Sequence, residues 1–112
     1  MIYISKIETI MDAIKVTTPL IEGEIEDAKN YAALAMAARE HFPDLAQTFF
    51  DLSEEETGHM NRLHTTVANL IDEYRKEKGD PPAPMLAVYD YLHKQQIEKA
   101  AEVKALRAMF KE

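Results

Sequence analysis

Proline and glycine cut this sequence at two places and leave the stretches between them long. At "HFPD" (41–44), Pro43 disfavours helical geometry at Phe42, while Pro43 and Asp44 both suit the start of a new helix. At "KGDPPAP" (78–84), a glycine able to end a helix precedes three prolines within four residues. The segments so bounded carry apolar residues at steps of three and four, and none alternates convincingly as a strand would. The expected fold class is therefore all-α. One helix is predicted over about 19–41, with Thr18 as its cap and Pro19 at its first position. A second should run from the Pro43 break to about residue 78, and a third over about 84–111. Ile7, Ile10, Met11 and Ile14 add a short N-terminal helix within 1–16. With 112 residues, the chain has room for one domain with one modest core, and no repeat or second domain is visible.

Charge and cysteine content remove several function classes. A net charge of −7 argues against a general basic surface for nucleic acid, and is compatible with drawing in cations. The absence of cysteine excludes disulfides, zinc–thiolate sites and iron–sulfur centres within this sequence. It also fits a reducing compartment. No apolar run approaches a membrane span, and "MIYISKIETIMDAIK" lacks a signal-peptide core, so a cytoplasmic, membrane-free setting is expected.

The oily stripes contain polar residues that a core would not choose. On the second helix the stripe reads Leu45, Phe49, Leu52, Glu56, His59, Leu63, Val67, Leu70, Tyr74. On the first it reads Ile21, Glu24, Ala28, Tyr31, Ala35, Ala38, Phe42. In an antiparallel hairpin, residues equally far from the turn sit at similar heights. Glu24 is seventeen residues before His41, while Glu56 and His59 are twelve and fifteen after Asp44. At about 1.5 Å per residue these heights agree within roughly one and a half turns. Two buried carboxylates repel each other, and each is costly alone. A bound cation removes both problems, since it needs deprotonated oxygen ligands and a neutral imidazole nitrogen. The candidate ligands are Glu24, Glu56 and His59; the competing reading is a metal-free polar network. Tyr31 is either core filler or a hydrogen-bond donor to a ligand carboxylate. Glu54 and Glu55 lie off the stripe, His64 is expected on the surface away from His59, and His41 has no ligand partner near the turn.

Glu24 seven residues before Tyr31 in "EIEDAKNY", together with Glu56-x-x-His59 in "EEETGHMNRL", resembles the ferritin-like superfamily. The likeness is strongest to rubrerythrin-type and encapsulated-ferritin-type proteins and covers about residues 19–75. It implies an antiparallel helical bundle around a non-haem di-iron centre, with Mn or Zn as alternatives. It also implies Fe(II) oxidation by O₂ or peroxide, iron storage or detoxification. In that assignment Glu56 bridges the irons, Glu24 and His59 are terminal ligands, and Tyr31 is a supporting residue.

One departure from the family is informative: a full ferritin-like domain has two Glu-x-x-His motifs, and here there is one. A two-fold dimer would assemble a four-helix core with four Glu and two His, the inventory such centres require. Higher even-numbered assemblies would be built from these dimers. The alternative is a monomer whose third helix supplies His93, Glu98 or Glu102. That helix has an apolar face through Leu92, Val103, Leu106 and Phe110, which favours packing or assembly. Peroxide-reducing rubrerythrins usually carry a cysteine-ligated iron domain, so a ferroxidase fits this cysteine-free chain better. A capsule or shell partner is compatible with the resemblance, but "RAMFKE" carries no readable targeting peptide. The other readings are a helical assembly protein with a structural or vestigial metal site, and a metal-free binding module of a larger complex.

Overall fold

The computed structural model describes residues 6–112, so the first five positions of the expected N-terminal segment lie outside the described residues. Among those described, the chain forms three helices and no strand: α1 (Ile10–Ala38), α2 (Pro43–Lys78) and α3 (Ala83–Phe110). None is long and apolar enough to cross a membrane.

Helix α1 starts earlier than its proline suggests. Thr9, not Thr18, is the cap: its hydroxyl accepts from the Asp12 N–H at 3.0 Å, and the Asp12 carboxylate accepts from the Thr9 N–H at 3.2 Å. These hydrogen bonds hold the Asp12 carboxyl below its usual range. The helix then runs through Pro19, which lacks the N–H that would reach the preceding turn. The two threonines before it bond backwards instead, Thr17 to the Ala13 carbonyl and Thr18 to the Ile14 carbonyl, both at 2.7 Å. Continuity gives α1 one unbroken buried face from Ile14 through Ile21 and Ile25, which favours helix on both sides of the proline. The predicted start at Thr18–Pro19 is thus overridden by packing.

The two breaks fall where expected. Phe42 is non-helical and Pro43 opens α2, while α1 ends at Ala38, three residues short of His41. Gly79 closes α2 at φ 80°, and its N–H donates to the Arg75 carbonyl at 3.0 Å.

α1 packs along α2 as an antiparallel hairpin, and α3 returns parallel to α1. Near the hairpin turn, Ala32, Ala35 and Ala46 are almost fully buried, so small side chains allow close approach. In the middle, Ile21, Ile25 and Ala28 of α1 meet Met60 of α2 and Val103 of α3. At the far end, Ile14, Val67, Ile71 and Met85 form a second cluster. α2 and α3 approach mainly through long side chains. Arg107 donates to the Ser53 carbonyl at 3.1 Å and the Thr57 hydroxyl at 2.6 Å, while the Ser53 hydroxyl donates to the Ala28 carbonyl at 2.7 Å. One polar knot so ties all three helices together.

The result is long and open. Its radius of gyration is 17.0 Å, against about 13 Å for a compact chain of this length. One face of the α1–α2 hairpin has no covering layer, and Leu20, Leu34, Leu45 and Leu70 are exposed on it. Glu24 and His59 lie on that same side.

Candidate metal centre

Three side chains meet at mid-height on the open side of the hairpin. Glu24 comes from α1, and Glu56 and His59 come from consecutive turns of α2. His59 Nδ1 lies 3.3 Å from Glu24 Oε2 and 3.8 Å from Glu56 Oε2. One ligating atom from each residue falls within 4.8 Å of the other two. The convergence inferred from helical heights is therefore present, and among the described residues no other group of three or more histidine or carboxylate donors gathers in this way.

Exposure is graded across the three. The side chain of Glu56 is 19% exposed, that of Glu24 is 27%, and that of His59 is 60%. The apolar stripe of α2 predicts His59 inside; in the single chain it stands at the rim. The reason is the missing layer: a stripe residue is buried only if something packs on it.

The carboxylates are held in a strained electrical state. The Glu56 carboxyl is pushed from its ordinary 4.5 up to about 7. The main cause is hydrogen bonding with Glu24, which favours the protonated Glu56 carboxyl. Burial and the Glu24 charge add to it, and His59 opposes it in part. A cation can take the place of that proton and accept both carboxylates and the imidazole. The donor set thus fits a divalent first-row metal ion, with oxygen and nitrogen ligands and no sulfur.

A pH dependence of the metal-free protein follows. Between about pH 4.5 and 7 the folded chain retains a proton that the unfolded chain has released. Stability contributed by that proton is full below pH 4.5 and is lost as pH rises toward 7. Urea unfolding with chelator present should therefore show a falling contribution across this window, which Glu56→Gln flattens. Identical pH slopes in wild type and variant would contradict the raised Glu56 carboxyl. The comparison with the variant is needed because His64 acts in the opposite direction, its imidazole being held below its usual range by burial and by His93.

The other candidates are placed as follows. Tyr31 stacks on Phe49 with ring centroids 6.3 Å apart, and its hydroxyl bonds to neither carboxylate. Glu54 and Glu55 are exposed, as is His41 at the turn. Glu102 sits 3.8 Å from Lys29, and neither it, Glu98 nor His93 joins the cluster. His64, expected on the surface, is half-buried: it stacks on His93 of α3 with ring centroids 4.1 Å apart, and its Nε2 is 3.4 Å from the Tyr89 hydroxyl. That aromatic stack and the Arg107 knot were missed in the sequence. Both depend on how α3 docks, and the spacing along α2 alone carries no trace of it.

Compared with known families, residues 20–111 match the model described as Rubrerythrin. No curated protein and no solved structure matches the chain.

Proposed function

This chain belongs to the rubrerythrin family, a ferritin-like group whose members typically bind iron, and on that premise we propose that it is a non-haem di-iron ferroxidase. The observation that carries the reading is a half set of ligands opening onto an uncovered apolar face. Glu24, Glu56 and His59 supply one half, and the same residues of a second copy supply the other. Glu24, Glu56 and His59 would hold the iron, Glu56 being the most enclosed of the three.

When bound, the iron pair supplies the electron chemistry between Fe(II) substrate and O₂ or peroxide. The chain's residues do the rest. The proton that the raised Glu56 carboxyl retains leaves as the site loads, which makes loading weaker in acid. His59, exposed at the rim, contributes a neutral nitrogen at the lowest desolvation cost of the three. Leu63 and Leu70 flank Glu24 and His59 along the same groove, so a second copy closing over them would remove water from the site.

The exposed leucines also favour a second reading, in which the chain is a helical assembly protein and the metal only clamps it. One experiment separates the two. Protein purified without chelator or histidine tag is analysed for metal, then mixed with Fe(II) in an oxygen electrode. We expect one iron per chain and oxygen uptake well above that of buffer, with Mn(II) or Zn(II) filling the same ligands but supporting no uptake. Metal bound at one per chain with oxygen uptake no faster than buffer would leave the clamp as the function.

A further inference from the structure

Beside the carboxylate cluster, on another edge of α2, lies a cavity of about 150 Å³ whose walls include Met60, Asn61, His64, His93 and Gln96. His64 is five residues beyond His59, which turns it about 140° around the helix and points it toward α3. Met60 and His64 are one turn apart on α2, and His93 and Gln96 one turn apart on α3, so each helix presents an adjacent pair.

Gln96 is the unexpected member. It is only 7% exposed, yet its side chain makes no hydrogen bond within the chain among the described residues. No fully enclosed polar side-chain atom lacks a partner, so the Gln96 amide ends at the cavity rather than in the core. Met60 is 8% exposed and lines the same cavity.

We propose that Met60, His64 and His93, with Gln96 on the wall beside them, form a second metal site, separate from the carboxylate centre, which takes a soft monovalent cation, Cu(I). The donor chemistry sets the class. A thioether sulfur and two imidazoles suit copper(I), whereas iron, magnesium and calcium prefer oxygen. The cavity walls carry no carboxylate. All donors are then neutral, and a single positive charge is less costly to enclose than two. Burial together with the His93 neighbour favours the neutral His64 ring that a ligand must be. The imidazoles lie against each other, tilted by 31° with ring centroids 4.1 Å apart. One ring must turn to bring two nitrogens onto one ion. What opposes the turn of His64 is one hydrogen bond with the Tyr89 hydroxyl, at 3.4 Å long and weak, and the cavity adjoins both rings.

The site does not depend on the di-iron reading, and the test keeps the two apart. Tag-free protein is titrated with Cu(I) under anaerobic, reducing conditions against the chelator bicinchoninate. The expected result is one Cu(I) withdrawn per chain, with affinity at least tenfold weaker in Met60→Leu and in His93→Gln, and unchanged in His59→Ala. Failure of wild type to compete, or a loss confined to His59→Ala, would overturn the assignment. Copper-edge X-ray absorption of the wild-type complex needs no variant and covers the case in which one fails to fold. One sulfur with nitrogen neighbours supports the site; nitrogen and oxygen alone refute it.

Discussion

His59→Ala will abolish the rise in melting temperature that anaerobic Fe(II) gives the wild-type protein. Iron that binds only the folded chain stabilises it by mass action, about 2.7 kcal/mol at a hundredfold excess over the dissociation constant. For a domain of this size that corresponds to a shift on the order of 10 °C. Removing His59 takes away the neutral nitrogen 3.3 Å from Glu24 and leaves two carboxylates, of which Glu56 favours its protonated form. The variant should keep its metal-free stability, because the His59 side chain is 60% exposed and buries little. A metal-free polar network predicts the reverse pattern: a cost in the metal-free protein and no response to iron in either form. His64→Ala is the control, with a twist supplied by its stack on His93. It should lower the metal-free melting temperature, since a half-buried ring is lost, and leave the iron-induced increment intact. Equal increments in wild type and His59→Ala would remove the metal reading of this cluster.

How much of this was legible beforehand depends on which forces act within one helix or one hairpin. Pro43 and Gly79 act locally, through missing N–H groups and allowed φ, and both breaks were placed from them correctly. The meeting of Glu24 with Glu56 and His59 was also legible, because an antiparallel hairpin with a short turn has only one register to within a turn. Pro19 was misread because its local preference competes with a buried face spread over Ile14, Ile21 and Ile25, and the sum of distant contacts outweighs one lost hydrogen bond. His59 lies on the predicted stripe but is exposed in the single chain. Periodicity reports which side a residue is on, not whether anything covers that side. His64, Gln96 and Arg107 were out of reach for a related reason. Their surroundings are made by the docking of α3, which rests mainly on α1 and meets α2 through a few side chains, and no spacing rule along one helix encodes that docking.

Charging the open face should split the assembly and silence the site without touching a ligand. Leu20 is 50% exposed and Leu70 is 38% exposed in the single chain. Lysine at these positions should therefore alter the isolated chain little, as surface changes usually shift stability by no more than about 0.5 kcal/mol. In the proposed two-fold pair the same positions would be covered. Completing the burial of a half-exposed leucine contributes roughly 1 kcal/mol. Four leucines per pair make about 4 kcal/mol, near a thousandfold in dissociation constant, before lysine desolvation adds to the loss. Sedimentation of the wild type is expected to show an even-numbered species, and Leu20→Lys/Leu70→Lys a monomer. Oxygen uptake with Fe(II) should then fall to the level of buffer although Glu24, Glu56 and His59 are all present, because each chain holds only three of the required ligands. Val88→Lys gives the matching control: it is 53% exposed but lies on α3, outside the hairpin face, and should change neither mass nor activity. Two results would sink the shared site. One is a wild-type monomer that binds two irons tightly, which would require this chain alone to supply every ligand. The other is a lysine variant that falls apart into monomers and still oxidises iron at the wild-type rate.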